Sequence, residues 1–153
     1  MIFVAFGNSP KQFERLAKAV DILAKSIDDD VFVQTGYTKY DYKYAHATEF
    51  LTQESFINNL TSCDVAILQG GWGGIAEASL LGARIVAVPR IKGIEHYHDQ
   101  IQLIKALESQ GVLLGCYDTE ELQDIVKKAN TYNFQPIKKG DAGEVINDFI
   151  RNL

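Results

Sequence analysis

Residues 67–77 read I-L-Q-G-G-W-G-G-I-A-E, an apolar run that opens into four glycines around one tryptophan and then resumes as a helix-like pattern. The run Val65-Ala66-Ile67-Leu68 has the length and continuity of a strand buried on both faces. The pattern after it predicts a helix over 73–81. A glycine loop between strand and helix admits two readings. The first backbone N–H groups of a helix lack partners and sit at the positive end of its dipole, so an anion is welcome there, and glycine lets a diphosphate approach without meeting a Cβ. Alternatively, the glycines let helix and sheet pack closely. The spacing is not G-x-G-x-x-G and no Walker lysine follows, which weighs against nicotinamide and ATP sites.

The same alternation extends in both directions. Residues 1–6 (M-I-F-V-A-F) predict a buried strand ending at Gly7. From Pro10 to Ile27 the apolar positions Phe13, Leu16, Ala17, Val20, Leu23, Ala24 and Ile27 form one helical stripe, with Pro10 expected in the first turn. Further strands are predicted at 31–35, 84–88 and 112–116, and a short extended piece at 48–51. Helices are predicted at 53–60, from about His98 to Ser109, and from the capping-box spacing Asp118-Thr119-Glu120-Glu121 to about Ala129. Val145, Ile146, Phe149, Ile150 and Leu153 predict a last helix, with residues 141–153 a candidate docking element. Strands alternating with helices imply right-handed crossovers. The expectation is therefore an α/β, Rossmann-like, doubly wound and mainly parallel sheet, forming one domain over residues 1–153.

Composition narrows the function classes. With 153 residues, 46% of them apolar and 23% charged, the chain is long enough for its own core and is not disordered. A net charge of −5 argues against a nucleic-acid face. No apolar run reaches membrane-span length, and no basic-then-apolar leader follows Met1, so a cytoplasmic protein is expected. Cys63 and Cys116 show no metal-ligand spacing and read as reduced, buried thiols.

Ligands of such sheets lie beyond the carboxyl ends of the strands. Three loops meet there: Gly7-Asn8-Ser9, residues 69–74, and 89–98 (P-R-I-K-G-I-E-H-Y-H). Glu77, one turn into its helix, could accept from vicinal ribose hydroxyls. Arg90 and Lys92 bring positive charge, and Glu95, His96, Asp99 and Gln100 bring hydrogen-bonding groups. His96 is a candidate acid or base. His96, His98 and His46 lack zinc spacing, so neither a metal nor a cofactor is expected. No serine stands in a nucleophile elbow. Tyr37, Tyr40, Tyr42 and Tyr44 read either as ordinary aromatic packing or as a contact patch.

Three segments together resemble the carboxy-terminal, donor-binding domain of family 28 glycosyltransferases: I-L-Q-G-G-W-G-G-I-A-E-A, L-G-A-R-I-V-A-V-P-R and E-H-Y-H-D-Q. The opening M-I-F-V-A-F-G-N-S-P-K-Q-F-E-R-L, with Gln34 and Gly36, is similar to the short single-domain members. Those are soluble subunits of two-component UDP-sugar transferases in dolichol-linked oligosaccharide or bacterial exopolysaccharide synthesis. The likeness runs from Met1 to about Val126. It implies half of a GT-B enzyme with a UDP-sugar donor as substrate. Gly7, Asn8 and Ser9 would border the diphosphate together with Gly70, Gly71, Gly73 and Gly74, with Arg90 as a further charge; Gln69 can donate hydrogen bonds there, and Trp72 could stack on a donor group or plug a subunit contact. Glu77 would hold the ribose. Gln100 would touch the sugar, with Glu95, His96 and Asp99 beside it. It further implies a membrane-associated partner chain that carries the acceptor and recruits this chain to the membrane face. The family pattern is close to S-H-G-G-T-G-S-I-L-E-A; here Leu68, Gln69, Trp72 and Gly74 replace Ser, His, Thr and Ser. Asn8 stands where threonine is usual, and Asp99 where histidine is. The loop also resembles the P-G-G-x-G-T-x-x-E of nucleoside-monophosphate phosphoribohydrolases, with Gln69 for proline and Gly74 for threonine. A third possibility is a non-catalytic partner that stabilises a membrane transferase.

Overall fold

Six short strands form one sheet in a computed structural model that describes residues 1–137. In chain order the elements are β1 (Ile2–Ala5), α1 (Glu14–Ser26), β2 (Val31–Gln34), β3 (His46–Thr48), α2 (Gln53–Ser62) and β4 (Val65–Gln69). They continue with α3 (Trp72–Leu80), β5 (Ile85–Val88), α4 (Ile101–Ser109), β6 (Leu114–Gly115), a 3₁₀ turn (Thr119–Glu121) and α5 (Leu122–Ala129). The strand order is β3-β2-β1-β4-β5-β6 and every pairing is parallel. This is a Rossmann-like, doubly wound α/β sheet, as expected. The chain order reverses between β1 and β4, so the helices after those strands lie on opposite faces and their loops part to leave a crevice.

Period-two alternation builds the two cores. On β1, Ile2 and Val4 face a cluster shared with Leu16, Val20 and Leu23 of α1 and Leu122 and Val126 of α5. Phe3 and Ala5 face the other cluster, with Ile75 and Ala78 of α3 and Ile104 of α4. Both sheet faces are covered, which is why β1, β4 and β5 are apolar without interruption.

The departures from the expected elements share a cause. Helix α1 starts at Glu14, not near Pro10. Phe13 N–H donates to Thr38 Oγ1 at 3.0 Å, and the Gln12 carboxamide donates to Tyr37 O at 2.8 Å while accepting from Lys39 N at 2.7 Å. Those bonds hold residues 10–13 against the 37–39 turn, out of the helix. Helix α4 begins at Ile101, three residues later than predicted, because the preceding loop is folded on itself. The expected strand at 112–116 pairs only over Leu114–Gly115. Asp118 caps a 3₁₀ turn by accepting from Glu120 N at 2.9 Å, so α5 proper starts at Leu122. The extended piece expected at 48–51 is displaced to His46–Thr48, an exposed edge strand. Residues 141–153 lie outside the described residues. Among the described residues no helix is long and apolar enough to cross a membrane.

The tyrosine segment is divided. Tyr40 and Tyr42 stack edge to face at 4.9 Å against the α1 side of the core, while Tyr37 and Tyr44 are half exposed. Asp21, buried on α1, accepts from the backbone N–H groups of Lys43, Tyr44 and Ala45 at 2.8–3.1 Å. Burial pushes its carboxyl up, but the three amide bonds outweigh that and leave it below the ordinary carboxylate value.

Candidate functional site

The crevice at the β1/β4 switch point is an open cleft of about 660 Å³. Gly7, Asn8 and Ser9 form one side, and Gln69, Gly71, Gly73, Gly74 and Glu77 another; Phe50, Leu51, Gln53 and Phe56 close the third, with Gln34 at the floor and His96 at the rim. A second groove of about 500 Å³ lies between α1 and the start of α5. Asp118 already caps the turn beside it, so the switch-point cleft is the stronger candidate.

The four loop glycines divide by what surrounds them. At Gly70 a Cβ would stand 2.8 Å from both Gln100 Cβ and Ile104 Cδ1, so close packing against α4 requires this glycine. At Gly71 it would stand 3.0 Å from Gln69 Nε2. Gly73 and Gly74 are different: a Cβ at either meets nothing within 4 Å. They occupy the second and third positions of α3, where glycine costs about 1 kcal/mol relative to alanine in a helix interior. Packing does not require them. Helix α3 has no side-chain cap, and Ile75 N bonds back to Gly71 O. Among the described residues, no acceptor meets the N–H groups of Trp72, Gly73 or Gly74. Two of these residues, Gly73 and Gly74, line the cleft, so unpartnered donors at a positive helix end border it.

Glu77 sits one turn further along and accepts from Gln53 Nε2 at 2.7 Å. Trp72 is 47% exposed at the helix start. Gly7 has φ +73°, and a Cβ there would overlap Gln69 Nε2, so Gly7 makes room for the glutamine.

The 89–100 segment turns Arg90, Glu95 and Gln100 inward and leaves Lys92, His98 and Asp99 exposed. Arg90 is 1% exposed. Its Nη2 donates to Phe6 O at 2.8 Å, its Nη1 to Lys11 O at 3.0 Å and to Glu95 O at 3.3 Å, and its Nε to Gln69 Oε1 at 2.8 Å. The guanidinium also lies 4.4 Å from the Phe13 ring centroid. Burial lowers its pKa to about 10, against the pull of Glu95. Glu95 pairs with Arg15 at 2.9 Å and accepts from Ile91 N at 2.8 Å. Gln100, also buried, accepts from Arg90 N at 2.9 Å. Asp99 accepts from Ile101 N, the first residue of α4, at 2.9 Å. None of these four lines the cleft; they lock the loop that borders it. His96 reaches the rim, with Nδ1 accepting from His98 N at 3.1 Å.

Other predicted chemistry is placed elsewhere. His46 is on the edge strand, away from His96 and His98, and no His/Cys/Asp/Glu group among the described residues could hold a metal ion. Burial raises the Cys63 thiol to about 11 and the Cys116 thiol to about 12, so neither is a thiolate nucleophile near neutrality. The sequence reading missed the wall made by Gln34, Phe50, Leu51, Gln53 and Phe56. One signal was present: Phe50 and Leu51 follow the third strand and so reach the same carboxyl edge.

No protein-family model matches the sequence, and no curated protein does. Solved structures do. The glycotransferase of kitacinnamycin shares 14% identity at a TM-score of 0.63, over 86% of this chain and 35% of its own. The glycosyltransferase SnogD from Streptomyces nogalater shares 15% at 0.55, over 84% and 35%. MurG of Acinetobacter baumannii shares 17% at 0.58, over 98% and 49%. The chain thus spans between a third and a half of the length of these proteins. The likeness is one of fold: a Rossmann-like domain that corresponds to part of each of these longer proteins.

Proposed function

We propose that this chain, as a single domain, binds the UDP-sugar donor of an inverting glycosyltransferase whose acceptor site lies on a membrane-associated partner. The observation that carries the reading is the pair Gly73 and Gly74. They weaken α3, meet no neighbour that needs them, and line the cleft at a helix start whose N–H groups have no partner among the described residues. A diphosphate laid across that helix end accounts for all three features. Glu77 is one helical turn away, within reach of a ribose whose hydroxyls donate to it. Phe50, half exposed on the opposite wall, offers a ring face to the base. The uridine identity comes from the family resemblance.

In transfer, negative charge grows on the departing diphosphate. Fixed amides at a helix end stabilise it without reorganising, and holding the donor in place supplies the orientation. Neither contribution requires a side chain of this chain to exchange a proton. A base for the acceptor hydroxyl belongs on the partner in this reading, with His96 placed at the rim to assist. Residues 141–153 are the proposed docking element. Recruitment of the chain to the cytoplasmic membrane face would follow from that partner.

A second reading, a non-catalytic partner of a membrane transferase, is favoured by one observation: Arg90, Glu95 and Gln100 are all committed to bonds inside the protein. Calorimetric titration of UDP, UDP-sugars and AMP separates the readings. UDP heat that falls at least tenfold in affinity in Glu77→Ala supports donor binding. Absence of any nucleotide heat, with a membrane transferase still bound, supports the second reading. AMP hydrolysis would overturn both and favour a phosphoribohydrolase.

A further inference from the structure

We infer that Arg90 is a positioning residue that fixes the Gln69 carboxamide with both N–H donors turned into the diphosphate end of the cleft. The inference rests on the donor-binding reading and adds to it a recognition device built from a buried cation that touches no ligand.

Donor chemistry alone sets the orientation. A guanidinium and a backbone N–H only donate. Arg90 Nε lies 2.8 Å from the Gln69 carboxamide, so the atom facing it is Oε1. Arg90 N lies 2.9 Å from the Gln100 carboxamide, so the atom facing it is also Oε1. Gln100 is then left with its Nε2 towards Gln69 Oε1, at 3.4 Å. Two donor-only groups of one residue therefore fix both amide flips, and Gln69 Oε1 receives from both sides.

The Gln69 NH₂ has no choice but to face away. It points between Gly7 and Gly71, into the space a Cβ at either would invade, and among the described residues it meets no acceptor. Asn8, Ser9, Gly73 and Gly74 line the same cleft. The remaining guanidinium bonds hold Arg90 still: Phe6 O and Lys11 O come from the connection between β1 and α1, and Glu95 O from its own loop. A lysine could keep the charge but could not serve these directions at once. The device makes a partly buried glutamine a preorganised donor, directed in this reading at the same oxygens as the α3 amides.

The test is an NMR titration of the ¹⁵N-labelled protein with UDP and, separately, uridine. UDP is expected to shift the Gln69 side-chain NH₂ pair together with the Gly73 and Gly74 amides, and uridine to leave the NH₂ pair unmoved. Gln69→Met, of similar length but without donors, should lose roughly tenfold in UDP affinity while uridine affinity stays level. Arg90→Lys should lose affinity in the same direction, and should add no loss on top of Gln69→Met. An Arg90→Lys loss that is undiminished in the Gln69→Met background would overturn the positioning role. So would a still Gln69 NH₂ pair while Gly73 and Gly74 respond to UDP, a result that needs no variant to fold and leaves the donor-binding reading standing. If UDP moves none of these signals, that reading fails first and takes this inference with it.

Discussion

Replacing Gly73 and Gly74 together with alanine should make the protein more stable and worse at binding nucleotide. Both residues lie in the first turn of α3 at negative φ, and an added Cβ meets nothing within 4 Å at either site. Relief of glycine's unfolded-state entropy is worth about 0.4–1 kcal/mol per site where the backbone already suits alanine. The double variant should therefore gain about 1–2 kcal/mol, or about 3–6 °C in Tm for a domain of this size. The same two methyl groups would stand where a diphosphate must come to reach the N–H groups of residues 72–74. UDP affinity should fall by roughly tenfold or more, the equivalent of one charge-assisted hydrogen bond. Differential scanning calorimetry of the ligand-free protein and isothermal titration with UDP measure the two effects separately. A lower Tm would show that the space above α3 is not open. An unchanged affinity beside a raised Tm would show that the glycines are not kept for a ligand, and the donor-binding proposal would lose its main support.

Other substitutions test the rest of the architecture. Gly70→Ala should cost about 1–3 kcal/mol in chemical denaturation, because its Cβ would press on Gln100 and Ile104 at 2.8 Å. Asp21→Ala should cost about 1–2 kcal/mol at neutral pH, since it abandons three partly buried backbone donors. The folded Asp21 pKa is depressed, so its stabilisation is present above the ordinary value of 3.8 and lost as pH falls through the lower folded value. Urea curves of wild type and Asp21→Ala should thus converge in acid; a gap that widens there would contradict the assignment. In the native protein at pH 8, Cys116 should resist alkylation until unfolding, because it is fully buried and its thiol is raised to about 12. Rapid labelling by a maleimide would refute that burial.

The order of strands and helices was legible in the sequence, and so was the convergence of three loops at one sheet edge. These features depend on periodicity and on where the chain breaks, which neighbouring residues determine. The apolar runs of β1, β4 and β5 and the stripe on α1 record burial directly. What the tertiary structure decided was the employment of each polar side chain. Arg90, Glu95 and Gln100 looked like ligand groups because they lie on the right loop. Folding instead brings Phe6 O within 2.8 Å of Arg90 and Arg15 within 2.9 Å of Glu95, partners about eighty residues away in sequence. The same long-range bonds, from Thr38 and Tyr37, moved the start of α1 from Pro10 to Glu14. Gly70 and Gly73 are indistinguishable in the sequence, yet α4 presses on one and nothing touches the other. A backbone pattern is a local property. A side chain's partner is whatever the closed fold sets within about 3 Å of it, and only the assembled sheet fixes that.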